Sequence, residues 1–203
     1  GKKSQVVMFT TDAAAKAAFS RKVFYLQGKA ISVVDEYRYH GLWLGAVASL
    51  NGKYRLDWSH TLREKASAFR HRLFKMYRSN CNIRGHTTAD IVDLYKSELR
   101  PILDFCCSLM DLSKGEISRL SNLQNQAFRT FLFCNSSDRS RFPEWTICNE
   151  TGLLPWKWRL AELRMRHLIR LRNISHSDTG SARTSNIYRA FETWYHNCTF
   201  LRH

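Results

Sequence analysis

An α+β fold, mainly α, is predicted: a small antiparallel β-hairpin region followed by a helical body. Three observations predict it. β-branched and aromatic residues concentrate between Lys22 and Leu50, as suits a half-buried pleated surface. From Leu62 onward apolar residues recur at spacings of three and four, the repeat of one helix face. A chain of 203 residues, 44% hydrophobic and 13% aromatic, can bury a core and perform this division of labour.

The elements follow in chain order. Gln5 to Phe9 is a short apolar run closed by Thr10-Thr11-Asp12, the pattern of a buried strand ending in a turn. Ala13 to Ala18 reads as a short helix or an ordered connector. Val23-Phe24-Tyr25-Leu26, then Gln27-Gly28, then Ala30 to Val34 read as a hairpin. Tyr37 to Leu44 reads as one further strand, with Gly41 and Gly45 as sites of a bulge or close backbone approach. The Asn51-Gly52 turn signal closes this β region, which is assigned to residues 1–54.

Residues 55–134 are assigned to a helical bundle. Asp57 or Ser59 is placed to cap a helix bearing Leu62, Ala66, Phe69, Leu73 and Tyr77. Thr87 or Thr88 is placed to cap a second through Ile91, Leu94, Tyr95 and Leu99, which Pro101 is expected to kink or end before Ile102 to Met110 continues. Ser113-Lys114-Gly115-Glu116 fits a capping box ahead of Ile117, Leu120, Leu123, Phe128, Phe131 and Leu132. Residues 135–174 form a basic helical segment. It opens with the polar stretch Asn135 to Arg141, and Pro143 and Pro155 stand near helix starts. Its Trp156 to Arg172 helix is expected to turn Leu160, Leu163, Leu168 and Leu171 to one side and Arg159, Arg166 and Arg170 to a neighbouring stripe. Residues 175–203 read as a Ser/Thr-rich linker and a terminal aromatic helix around Tyr188 to Tyr195.

Charge narrows the function. With 32 Lys+Arg against 17 Asp+Glu, the formal charge is +15, which suggests a polyanionic partner. No apolar run approaches the roughly 20 residues of a spanning helix, so no membrane is expected. Cys81, Cys106, Cys107, Cys134, Cys148 and Cys198 lack Cys-x-x-Cys or zinc-module spacing; they are expected to be reduced, small and buried. Scattered histidines, among them His60, His71, His86, His167 and His196, predict no metal site. No nucleophile-elbow or cysteine-protease signature is present, and neither a cofactor nor a catalytic residue is predicted. The Gly1-Lys2-Lys3 opening, without initiator Met, is expected to be a processing site or the edge of a fragment.

Phosphate contacts are expected from Arg159, Arg166 and Arg170, helped by Lys157, Arg164 and Arg172, because a helical ladder of cations can track a nucleic-acid backbone. Arg63, Arg70 and Arg78 form a second stripe, and Lys2 and Lys3 add to either. Tyr39 is expected either to stack on a base or to pack at a hairpin tip. Trp145, Trp156 and Trp158 are expected to wedge between helices.

Several stretches resemble one family in its own order. Lys3-Ser4-Gln5-Val6-Val7-Met8-Phe9 is similar to the late-palm strand of non-LTR (LINE-type) retrotransposon reverse transcriptases. Tyr37 to Leu44 looks like the primer-grip hairpin, with His40 where that family has Leu. Asp57-Trp58-Ser59-His60 with Lys65-Ala66, Tyr95 to Leu103, and Leu123-Gln124-Asn125-Gln126-Ala127-Phe128-Arg129 resemble its thumb. Thr151-Gly152-Leu153-Leu154-Pro155 resembles its post-thumb segment, so that residues 2–172 are covered. The resemblance implies a palm rim and a thumb-like bundle, the part that holds a duplex. The family's catalytic Asp-Asp pair is absent from this sequence, and the resemblance places it upstream of Gly1.

Two functions are expected to fit. The first is a non-catalytic RNA-binding structural protein derived from a reverse transcriptase, held in a large ribonucleoprotein such as a mitochondrial ribosome, with ribosomal RNA and other proteins as partners. The alternative is the C-terminal segment of an active RNA-directed DNA polymerase, nuclear and gripping an RNA–DNA hybrid. A protein-binding helical bundle is a third reading.

Overall fold

The computed structural model describes residues 5–10, 12–48, 54–79, 86–131 and 143–176. The fold is α+β and mainly helical. Its contacts divide the chain into two compact units, Gly1–Lys65 and Ala66–His203.

The first unit carries two three-stranded sheets. In one, β1 (Gln5–Val7) pairs in parallel with β3 (Lys29–Val34), which pairs antiparallel with β2 (Phe24–Leu26). The connection from β1 to β3 runs through helix α1 (Ala13–Ser20) and β2; β2 runs opposite to β1, and its hairpin into β3 turns the chain back parallel to β1, a pairing that needs a long connection. Asp12 starts α1 by accepting the backbone N–H groups of Ala14 and Ala15 through its carboxylate, satisfying donors that the first helical turn leaves open. Gln27 and Gly28 both take positive φ, 51° and 75°, the type I′ geometry that matches strand twist in a two-residue hairpin.

The second sheet is antiparallel, β4 (Tyr37–Tyr39), β5 (Leu42–Ala48) and β6 (Tyr54–Asp57). The single strand predicted from Tyr37 to Leu44 is therefore two. His40 and Gly41, at φ 45° and 81°, turn the chain between them, so Gly41 serves a hairpin turn and not a bulge. The β region also runs past residue 54, because β6 extends to Asp57. The Asn51-Gly52 turn signal lies outside the described residues.

Helix α2 (Ser59–Arg78) begins where the Asp57 carboxylate accepts the Ser59 N–H at 2.9 Å. Leu62, Phe69, Leu73 and Met76 are buried, while Tyr77 is exposed; Met76 takes the inward position that the spacing had given to Tyr77.

In the second unit, Thr87 caps α3 (Thr88–Leu94) in a reciprocal capping box with Asp90. Pro101 does not end this helix. A π-helical turn over Tyr95–Leu99 carries it into α4 (Arg100–Asp104), with Arg100 N–H bonded to the Tyr95 carbonyl. A wider turn accommodates a residue that has no N–H of its own to give and whose ring crowds the preceding carbonyls. The predicted helical continuation to Met110 is replaced by a 3₁₀ turn at Cys107–Leu109, entered through Cys106 in the left-handed region at φ 57°.

Ser113 and Glu116 exchange the expected capping-box hydrogen bonds at the start of α5 (Lys114–Phe131). Its Ile117, Leu120, Leu123, Phe128 and Phe131 are buried as predicted; Leu132 lies outside the described residues. Helices α6 (Glu144–Thr151) and α7 (Trp156–His176) both pack on α5, and α7 also meets the 3₁₀ turn. The core centres on Tyr95 and Phe128, with ring centroids 4.9 Å apart. The Tyr95 hydroxyl donates to Gln124 Oε1 at 3.0 Å, which satisfies two buried polar groups together. Cys106, Cys107 and Cys148 are free thiols, the last two buried; Cys81, Cys134 and Cys198 lie outside the described residues. Among the described residues no helix is long and apolar enough to cross a membrane.

Candidate nucleic-acid interface

The arginines of α7 do not form one outward ladder. Arg159 is buried and paired with both Asp104 and Glu162. Burial works against its charge, but the hydrogen bonds to those carboxylates outweigh it and hold its pKa above the ordinary arginine value. Arg164 is 2% exposed and donates to the Met110 carbonyl at 2.7 Å. Both were expected among the phosphate contacts, and both are turned inward. The reason is tertiary: Asp104 and Met110 arrive from α4 and the chain just after the 3₁₀ turn, where the sequence around α7 gives no sign of them.

Arg166 is exposed but tied to Glu162 at 2.5 Å. Arg170 and Arg172 are exposed near the helix end, and Lys157 lies 5.6 Å from the Trp158 ring centroid. The outermost face of α7 is apolar instead. Trp158, Met165 and Ile169 are 59%, 46% and 53% exposed, at positions seven and four apart that share one helix face. Of the three tryptophans expected to wedge between helices, only Trp156 is buried; Trp145 and Trp158 are exposed.

Helix α2 offers the cleaner cationic surface. From Ala66 to Arg78 the sequence contains Arg70, Arg72, Lys75 and Arg78 and no carboxylate. Arg72 is held by Glu98. Arg70, Lys75 and Arg78 are exposed and make no ion pair among the described residues. Between them stand Phe74, 54% exposed, and Tyr77, also exposed. The Arg78 guanidinium lies 4.8 Å from the Phe74 ring centroid, close enough for a cation–π contact that holds both groups at the surface. Phe74 and Lys75 were missed in the sequence. The available signal was an aromatic breaking the polar side of the helix opposite Phe69 and Leu73.

In the first unit Arg63 is exposed on α2. Tyr39 is exposed at the tip of the β4–β5 hairpin, its ring edge-on to His40 at 4.4 Å. Behind that tip Trp43 stacks on His60 at 4.2 Å, and His60 Nδ1 meets Glu36 Oε2 at 2.6 Å. This imidazole is thus already engaged on its face and one nitrogen. Lys2 and Lys3 lie outside the described residues. Among the described residues no group of three His, Cys, Asp or Glu is placed to hold a metal ion.

The chain matches no family model, and no curated protein or solved structure aligns with it.

Proposed function

We propose that this chain binds RNA as a non-catalytic structural element of a larger ribonucleoprotein, such as a mitochondrial ribosome. The observation that supports this most is the outer face of α2, where Arg70, Lys75 and Arg78 stand free of carboxylates and alternate with exposed Phe74 and Tyr77. Cations there neutralise phosphates and release counterions, while the aromatic rings offer flat surfaces to unpaired bases. A net charge of +15 adds long-range attraction. The resemblance to a reverse-transcriptase thumb is consistent with a surface that holds a nucleic acid, and the absence of an adjacent Asp pair from this sequence leaves the chemistry of such a polymerase outside this chain.

The test is RNA binding by the full chain across a salt series. Replacing Arg70 and Arg78 by Gln is expected to lower the slope of log K against log salt by about 1.5, the release of two phosphate contacts. Phe74→Ala is expected to weaken single-stranded RNA by about 1–3 kcal/mol while leaving the salt slope unchanged. Binding that ignores salt and all three substitutions would remove the proposal. Parallel titrations with an RNA–DNA hybrid address the polymerase reading, which requires the hybrid to bind tighter than RNA alone.

A further inference from the structure

We propose that the second unit contains an oxyanion site, built to take one phosphate group, in the cleft between the π-helical turn, α5 and the α6–α7 connection. The cleft has a volume of about 160 Å³ and is lined by Lys96, Arg100, Arg159, Gln124, Trp156 and the Gly152–Leu154 backbone. At roughly 30 Å³ per water this is room for about five waters. That suits a phosphate with part of its hydration shell.

The lining contains three cations and no carboxylate. Their counter-charges come from outside it. Lys96 Nζ lies 3.6 Å from the well-exposed Asp93, a loose pairing. Arg100 is committed to Asp104 through Nε at 3.4 Å. Arg159 is locked between Asp104 and Glu162 and serves as a fixed positive charge in the wall. The carboxylates temper the field but do not line the cavity an anion would enter.

A neutral donor completes the set. Leu154 O can only accept, so the contact at 3.4 Å places the Gln124 amide nitrogen on the cleft side. The amide oxygen is then the atom that takes the Tyr95 hydroxyl proton at 3.0 Å. Desolvation by burial raises the Tyr95 pKa well above the ordinary tyrosine value, which keeps that proton in place. Lys96 belongs to the π turn and Arg100 follows it directly, so the distortion that admits Pro101 also sets these two cations on the cleft wall. Lysine, arginine and amide side chains that line one small cavity supply the donors that recognise a tetrahedral oxyanion, and the guanidinium favours phosphate.

The site is independent of the α2 face, and it depends on the RNA reading only for the source of its phosphate. The experiment is NMR of the full chain, following the Gln124 side-chain amide and Arg100 Nε–H while inorganic phosphate replaces chloride at constant ionic strength. Saturable shifts are expected, weakened at least tenfold in Lys96→Glu and retained in Lys114→Glu, a control at an exposed site on α5. Lys96→Gln, which removes charge without reversing it, is expected to fall between. Linear or absent shifts up to about 50 mM phosphate, a concentration that would reveal even millimolar binding, overturn the proposal and leave the α2 reading untouched. RNA that displaces the bound phosphate identifies a backbone phosphodiester as the source. RNA that binds without displacing it identifies free phosphate, and either result presupposes the saturable site.

Discussion

At the scale of single residues, identical side chains on one helix have different roles. Arg159 and Arg164 are internal, whereas Arg170 is exposed on the same element. Removing the Arg159 side chain leaves the Asp104 carboxylate, itself mostly buried, with Arg100 as its counter-charge among the described residues. Arg159→Ala and Arg164→Ala are therefore each expected to cost about 2–4 kcal/mol in urea unfolding, because an abandoned buried partner is expensive. Arg170→Ala should stay within about 0.5 kcal/mol of the parent, as exposed substitutions do. Equal costs at all three positions would contradict the division into inner and outer arginines.

Glu162 extends this to pH. Its hydrogen bond from Arg159, with further attraction to Arg159 and Arg166, holds its pKa below the ordinary 4.5. A carboxylate depressed in the folded state stabilises above its unfolded pKa and loses that contribution as pH falls through the folded value. Unfolding free energy should therefore decline below about pH 4.5, and Glu162→Gln should flatten that part of the profile. His167 acts in the same direction at higher pH. Burial and the neighbouring Arg170 lower its pKa from 6.5, so the unfolded chain takes up the proton first and stability falls as pH drops through 6.5 toward the folded value.

At the scale of elements, short-range signals read well and long-range ones did not. The capping boxes at Thr87/Asp90 and Ser113/Glu116 are contained in four consecutive residues, and the inward face of α5 follows from spacing alone. The β4–β5 hairpin was harder, because the aromatic and apolar residues from Tyr37 to Leu44 read by pattern as one strand, with Gly41 as a bulge or close approach inside it. What separates them is backbone geometry at His40 and Gly41. His40 is a non-glycine residue in left-handed conformation, where Asn is more comfortable and Gly is best. His40→Asn is expected to raise stability by a few tenths of a kcal/mol and Gly41→Ala to lower it by about 1 kcal/mol, read as opposite shifts of the thermal midpoint. The π turn before Pro101 was equally hidden. Proline announces a disturbance of the helix, but whether the chain breaks, kinks or widens is decided by the buried anchors Tyr95, Leu99 and Leu103 on either side.

At the scale of the whole molecule, net charge is a property of composition, and its distribution is a property of the fold. The excess of cations was plain from the sequence, and it made a polyanionic partner the natural expectation. The helical stripe chosen for that role on α7 is partly interior, and α2 carries exposed cations that make no ion pair among the described residues. Spacing put Arg63, Arg70 and Arg78 on the exposed side of α2, but on α7 it did not separate the buried Arg159 and Arg164 from the exposed Arg166 and Arg170. Periodicity reports which residues share a face; it does not report what the rest of the chain places against that face. The sequence by itself determined the α+β class, the helix starts and most of the buried face of α5, since these depend on contacts within a few residues. Only the tertiary structure decided which arginines are spent inside and where a cleft opens. The bonds responsible join Asp104 to Arg159 and Met110 to Arg164, partners 55 and 54 residues apart, and no local pattern records a contact across that distance.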